Sequence, residues 1–176
     1  DPEVIDKLHE VVKKYDINPA HVTFEVTETA AIHDPSALRD IDEIRNFIIE
    51  LRKLGFKFAL DDFGTGFSSF SYIRSLEVDI IKIDGSFVRD LESSDQDKLF
   101  VKAISDLAQG LGIKTVAEFV ENEGILSILK DLGVHYAQGY HISRPEGSIE
   151  QLYKDFTNKN MSHFMGGGEK KKAAAV

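Results

Sequence analysis

The chain has 176 residues, of which 42% are hydrophobic and 29% are charged, a composition typical of a globular domain with a sizeable core. Its net charge of −9 argues against a general nucleic-acid surface, although an acidic protein can bind phosphate where divalent cations supply positive charge. The absence of cysteine excludes disulfides and thiolate metal sites and fits a cytoplasmic location, in a parent protein that is free or attached to a membrane. No apolar run approaches the ~20 residues that a membrane span needs.

Taken in chain order, two hydrophobic periods alternate along the sequence. Apolar residues spaced three or four apart predict helices, and short runs rich in β-branched and aromatic residues predict strands. The helical segments are 2–15, 35–55, 95–112 and 122–133. The strand segments are 21–28, 56–61, 79–84, 113–119 and 134–140. Gly55 is expected to cap the second helix, and Ser68 and Ser69 can begin a short helix after the second strand.

This alternation predicts an α/β fold whose parallel strands are joined by right-handed crossovers. About five strands can form either an open, doubly wound sheet or part of a closed (β/α)8 barrel. Since a complete barrel takes about 250 residues, the chain would supply roughly its last two-thirds. The domain is expected to span residues 1–160, and the segment 161–176 is predicted to be a disordered tail or linker. Because the sequence opens on Asp1 rather than Met, we expect the natural N-terminus to lie upstream.

Polar side chains recur on one face of the predicted strands, near their C-terminal ends. In a barrel, the strongly apolar face of each strand packs against the helices and the other face points inward. By this alternation five inward-facing side chains converge on one mouth: Glu25, Asp61, Lys82, Glu118 and Gln138. Since a buried charge is costly unless it is paired or bound to a metal, the convergence favours a functional site over simple packing.

The carboxylates at this mouth favour a particular chemistry. Glu25, Asp61, Asp62 and Glu118 are hard oxygen ligands, and a set with no histidine or cysteine suits Mg²⁺, Mn²⁺ or Ca²⁺ rather than zinc. Two cations that share a carboxylate can hold a phosphodiester, activate water and stabilise the leaving oxygen. A strand-ending turn is the alternative interpretation of the adjacent Asp61 and Asp62.

The same mouth contains candidates for proton transfer. Lys82 can balance the negative charge and orient an attacking water, while Glu118 or Glu121 can assist proton transfer. In the alternative interpretation, Lys82 forms a purely structural ion pair with Glu118 or Glu121.

Five sequence segments, with their order and separations, resemble those of a known family: FEVTE (24–28), LDDFGTGFSSF (60–70), IKIDGSFV (81–88), VAEFVE (116–121) and AQGYHISRP (137–145). Over about residues 1–147 the sequence is similar to the EAL-type cyclic di-GMP phosphodiesterase domains of bacterial signalling proteins. The resemblance implies a (β/α)8 TIM-like barrel of the EAL type with an antiparallel first strand, present here as a partial barrel. It also implies Mg²⁺- or Mn²⁺-dependent hydrolysis of cyclic di-GMP to linear pGpG, inhibited by Ca²⁺. A homodimer formed through the barrel and an upstream sensory or GGDEF-type domain are further implications.

The resemblance assigns roles to residues of the strand ends. Glu25 and Asp61 would be metal ligands, with Asp62 on a second metal, and Glu118 is a further predicted metal ligand. Lys82 and Glu118 would position or deprotonate the catalytic water.

The remaining positions of the motifs receive supporting roles in the same way. Glu121 and Gln138 would complete the polar network, and Glu28 would anchor the mobile loop 62–69 between the metal site and the dimer face. Arg144 and Pro145 resemble the substrate-proximal end of the family's barrel.

Two features depart from the family pattern. Phe119 occupies the position of the glycine in the familiar AEGVE motif, and we expect only a steric or loop effect. The chain also lacks the segment with the Glu-x-Leu signature and the asparagine of the third strand, both implied metal ligands. The fragment alone is therefore expected to be weak or inactive. A non-hydrolytic cyclic di-GMP receptor and a dimerisation module are the alternative functions.

Overall fold

The structure, a computed structural model, describes residues 2–27, 37–64, 73, 76–145 and 147–148. Within these ranges one sheet contains five strands: β1 (Thr23–Thr27), β2 (Lys57–Phe63), β3 (Ile80–Ile83), β4 (Lys114–Ala117) and β5 (Tyr136–Ala137). Their order in space follows their order in the chain, and every neighbouring pair is parallel. A doubly wound sheet reverses its strand order at a switch point, whereas a barrel wall does not. The described strands therefore exclude the open-sheet alternative.

In the described residues, helices connect β1 with β2, β3 with β4 and β4 with β5, the crossover arrangement that parallel pairing requires. They are α1 (Pro2–Tyr15), α2 (Ala37–Lys53), the short α3 (Gly85–Val88), α4 (Asp95–Leu111) and α5 (Glu123–Asp131), and a 3-10 turn (Pro19–His21) precedes β1. None of the helices in the described ranges combines the length and the apolar character that crossing a bilayer requires.

The end of α2 shows how the local sequence places a strand. Gly55 has a φ of 98° and donates its N–H to Arg52 O, while Phe56 donates to Leu51 O. This double closure is a Schellman motif, which favours glycine because its φ is positive. The cap expected at Gly55 is thus confirmed, and the chain enters β2 one residue after Phe56.

The hydrophobic core lies between the outer face of the sheet and the helices. Alternate residues of β2 and β3 point into it, and they meet the inward stripes of α2, α4 and α5. Its fully buried members include Phe58, Leu60, Ile81, Ile83, Leu51, Val101, Ile104 and Leu129. Because this face is fully apolar, the register of each strand is fixed, and with it the side chains that face the other way.

The helix and strand predictions that fall on the described residues are confirmed, with boundaries that differ by at most three residues. The predicted short helix at Ser68 and Ser69, the tail 161–176 and the domain limit at residue 160 lie outside the described residues. Those three predictions stay predictions.

Gly139 and Gly110 provide a matched test of this packing. A Cβ added to Gly139 would lie 2.3 Å from both the N and the O of Val120, so Gly139→Ala should lower the free energy of unfolding by at least about 2 kcal/mol. Gly110 lies in α4 with no atom within 4 Å of such a Cβ, so Gly110→Ala should raise it by about 0.5 kcal/mol. Urea unfolding followed by circular dichroism measures both values. Equal effects of the two substitutions would contradict the packing at Gly139.

Candidate active site

Charged side chains from β1, β2 and β3 and from the residue directly after β4 come together at the same edge of the sheet, where three carboxylates surround one ammonium nitrogen. The ammonium of Lys82 lies 2.8 Å from Glu25 Oε1, 2.7 Å from Asp61 Oδ1 and 2.8 Å from Glu118 Oε1. The Lys82 side chain is 9% exposed, whereas that of Glu25 is 52% exposed. The convergence predicted from strand alternation is therefore present for these four residues, and Glu25 marks the side that is open to solvent.

The electrostatics of Lys82 follow from these contacts. Burial by itself would lower the pKa of the Lys82 amine. Hydrogen bonds to Asp61, Glu118 and Glu25 outweigh burial and raise this pKa well above its ordinary value. Lys82 is therefore a fixed cation at neutral pH, which excludes it as a general base and leaves it as a hydrogen-bond donor and counter-charge.

Asp62 adds a further carboxylate beside this cluster. Its φ of 54° lies in the left-handed region, which aspartate tolerates better than most residues, and this turn places its carboxylate next to that of Asp61. Burial raises the pKa of Asp62, and repulsion by Asp61, Asp84 and Glu25 raises it further, with Lys82 offsetting only part of the effect. One ammonium thus leaves an excess of negative charge at the mouth.

The donor set fits a hard divalent cation. One carboxylate oxygen from each of Asp61, Asp62 and Glu118 lies within 4.8 Å of the other two. Asp61 Oδ1 is buried and, apart from its ion pair with Lys82, receives no hydrogen bond from the described residues. Such an oxygen has a lone pair to offer, and carboxylates alone suit Mg²⁺, Mn²⁺ or Ca²⁺. These three residues would hold the metal.

Other residues predicted for the site are not part of this cluster. Glu121 and Gln138 are exposed, and neither side chain makes a hydrogen bond or ion pair with a described residue. Arg144 and Pro145 are exposed beyond β5, where the Arg144 guanidinium lies 5.0 Å from the centre of the Tyr140 ring. Glu28 lies outside the described residues, as does most of the loop 62–69.

The sequence analysis did not predict a role in the site for three residues near the acidic cluster: Asp84, Phe119 and Arg89. Asp84 directly follows β3, where its side chain accepts a hydrogen bond from Ser86 N and its charge acts on Asp62. Its position two residues after Lys82 was the signal that could have identified it. Phe119 has a φ of 55°, which costs a non-glycine residue about 1–2 kcal/mol, and its ring lies against the guanidinium of Arg89. Nothing in the sequence pattern pairs these two residues.

Parallel strands in sequential order, with charged side chains gathered at their C-terminal ends, define a segment of a (β/α)-barrel enzyme. The sequence profile of the EAL domain matches residues 1–145. The chain therefore belongs to the EAL domain family, and its fold is that of an EAL-type TIM-like barrel, with five parallel strands among the described residues.

Relatives and solved structures agree with this membership. The chain is 50% identical over 132 residues to the cyclic di-GMP phosphodiesterase PdeB of Shewanella oneidensis, a match that covers 75% of this chain and 15% of PdeB. The EAL domain of Mycobacterium smegmatis DcpA is 32% identical with a TM-score of 0.77, covering 88% of this chain and 66% of that one. The manganese and cyclic di-GMP complex of Klebsiella pneumoniae BlrP1 is 32% identical with a TM-score of 0.71, covering 82% and 36%. Other relatives, among them PdeF of Escherichia coli, are likewise named cyclic di-GMP phosphodiesterases, a class of hydrolase.

Replacing Lys82 tests the ion-pair cluster. Lys82→Met leaves the carboxylates of Glu25, Asp61 and Glu118 without their cation, so we expect the free energy of unfolding at pH 7 to fall by about 3 kcal/mol. Lys114→Met is the control, since Lys114 lies on β4 and is exposed.

At high pH, the same experiment has an expected direction of change in stability. Because the folded-state pKa of Lys82 is raised, its stabilisation is complete below its ordinary pKa of 10.5 and is lost as the pH rises through the folded-state value. Wild type should therefore lose stability above about pH 10.5, and Lys82→Met should lack this part of the loss. Parallel profiles for wild type, Lys82→Met and Lys114→Met would contradict the cluster.

Proposed function

We propose that this chain supplies the acidic part of the catalytic site of a metal-dependent phosphodiesterase that hydrolyses cyclic di-GMP to linear pGpG. The observation that carries the proposal is the meeting of Asp61, Asp62 and Glu118 around the fixed ammonium of Lys82. The names of the relatives support the substrate, and the match to a structure that contains manganese and cyclic di-GMP supports the cofactor class. The aligned part of the chain spans 15% of the length of PdeB, so activity of the whole protein belongs to this proposal.

Each residue of the cluster is assigned a role in this reaction. Asp61, Asp62 and Glu118 would hold Mg²⁺ or Mn²⁺, and Glu25 would complete the acidic set. When bound, such cations lower the pKa of water, hold the phosphoryl oxygens and offset the charge on the leaving oxygen. Lys82 donates hydrogen bonds to the carboxylates and offsets their repulsion, and as a fixed cation it would orient the water without removing its proton.

The hydrolysis consumes one water for each bond that is cut. A P–O bond to a ribose 3′ oxygen breaks, a P–OH bond forms, and the proton lost by water is balanced by the proton gained by the 3′ oxygen. Glu118, which touches Lys82 and borders the cluster, is the carboxylate that we assign to accept the proton. Glu121, Gln138, Arg144 and Pro145 are assigned to the substrate, and Glu28 to the adjoining loop.

The assembly around this site is part of the same proposal. We assign the chain to a cytoplasmic protein that dimerises through the barrel and that carries a sensory or GGDEF-type domain upstream. Ca²⁺ is proposed to occupy the cation site and inhibit turnover, because it prefers more ligands and longer bonds than Mg²⁺.

Turnover of cyclic di-GMP is the test of this proposal. The chain and a version extended upstream to the length of the DcpA EAL domain are incubated with Mg²⁺, Mn²⁺ or Ca²⁺, and pGpG is quantified by ion-exchange chromatography. We expect turnover with Mg²⁺ or Mn²⁺ in the extended protein, weak turnover in the chain alone and inhibition by Ca²⁺. Asp61→Asn should reduce turnover by about 100-fold or more, because it removes a carboxylate that would bind the metal.

Asp106→Asn is the matched control, since Asp106 pairs with Lys102 on the surface of α4. It should leave turnover unchanged. No turnover by the extended protein would exclude the enzyme, and cyclic di-GMP binding without turnover would identify a receptor instead. Full activity of Asp61→Asn would contradict the metal assignment.

A further inference from the structure

Phe119 is held in a conformation that an aromatic residue rarely adopts. Its φ is 55°, and its two neighbours are fixed on opposite sides: Glu118 N donates to Ile83 O, and Val120 N donates to Gln138 O. The backbone must turn between these two hydrogen bonds, so Phe119 stays left-handed although glycine would adopt this φ at lower cost. Strained residues of this kind cluster at ligand sites, which is a reason to ask what the ring does.

The Phe119 ring has one covered part and one open part. It lies against the bare backbone of Gly85, where an added Cβ would collide with the ring at 2.2 Å from Cδ2. The guanidinium of Arg89 lies 4.2 Å from the ring centre, within cation–π distance. Phe119 nevertheless remains 45% exposed, so packing does not account for the whole ring. We call Phe119 and Arg89 the rim pair.

The rim pair borders the acidic cluster on the side of β3 and β4. Phe119 directly follows Glu118, one of the three clustered carboxylates, and the ring rests on Gly85, which directly follows Asp84. Burial alone would raise the pKa of Asp84, but hydrogen bonds from Ser86 and Gly85 and the charge of Arg89 lower it. Arg89 is therefore close enough to act on a carboxylate that in turn acts on Asp62.

The chemistry of the rim pair is that of a base-binding surface. Exposed aromatic rings stack with nucleobases, and an arginine fork pairs with the O6 and N7 acceptors of guanine. A guanidinium that already lies over a ring has fewer rotamers to lose when it binds. A base coplanar with the Arg89 guanidinium could accept hydrogen bonds from the N–H groups of Arg89. The same base could stack on the exposed part of the Phe119 ring. Adenine presents an amino donor in place of O6, so two hydrogen-bond donors, this amino group and the Arg89 guanidinium, would face each other.

We propose that Phe119 and Arg89 bind a guanine base of the nucleotide substrate and favour guanine over adenine. This proposal rests on the proposed function, because it places the base beside carboxylates assigned to the phosphodiester. It makes both residues specificity-determining, and it gives the strained Phe119 a role that a glycine could not fill.

The test uses GMP and AMP without metal, so that it does not depend on catalysis. Isotope-labelled chain in EDTA is titrated with each nucleotide, and the resonances of the Arg89 Nε–H and the Phe119 ring are followed by NMR. We expect saturable shifts with GMP and at least fivefold weaker binding of AMP. Phe119→Gly, which suits the positive φ and should fold, is expected to weaken GMP binding at least fivefold.

Two further variants separate stacking from a structural effect. Phe119→Tyr keeps the aromatic face and should bind GMP within twofold of wild type. Tyr15→Leu removes an aromatic ring of a different cation–π pair, formed with Lys14 on α1, and should change nothing.

Three results would each overturn the proposal: no saturable GMP shift at the rim pair, equal binding of GMP and AMP, or unchanged binding by Phe119→Gly. GMP binding that requires Mn²⁺ would assign the nucleotide to the acidic cluster and would also overturn it. A chain that hydrolyses nothing but shows the GMP shift in EDTA would retain the rim pair and lose the proposed function. The two failures are therefore distinguishable.

Discussion

The charge balance at Lys82 is the interaction on which the site depends. Three carboxylates from three different strands point at one nitrogen, and without it their mutual repulsion would act at the edge where the strands end. The apolar outer face of the sheet fixes the register, so these side chains have no other face available. The packing of the core thus holds the charged side chains together. The ion pairs with Lys82 offset the repulsion among the carboxylates when no metal is bound.

One ammonium does not neutralise the mouth. Glu25, Asp61, Asp62 and Glu118 carry more negative charge than Lys82 offsets, and the raised pKa of Asp62, caused by burial and by its acidic neighbours, reflects the excess. A divalent cation would bring the site closer to neutrality while leaving Lys82 in place as a donor. In this view Lys82 and the metal act together, since neither alone balances the acidic set.

Strand alternation was sufficient to predict the four residues that meet, because β1, β3 and β4 keep their period of two and β2 keeps it as far as Asp61, before the irregularity at the left-handed Asp62. It was insufficient for Gln138, and it made no prediction for Glu121. β5 is regular for only two residues, and the left-handed turn at Phe119 ends the alternation before Glu121. The contact of Phe119 with Arg89 joins different loops, and a single sequence has no local signal for such a pair. The parallel sheet and the helix caps, in contrast, depend on neighbouring residues and could be predicted.

The central claim, that the acidic cluster binds a divalent cation, is tested most directly by Mn²⁺ binding. Electron paramagnetic resonance measures the loss of the free Mn²⁺ signal as the chain is added. We expect saturable binding with a Kd of about 1 mM or below, weakened at least tenfold in Asp61→Asn and unchanged in Asp106→Asn. Binding that is absent from wild type, or that is equal in wild type and Asp61→Asn, would contradict the claim.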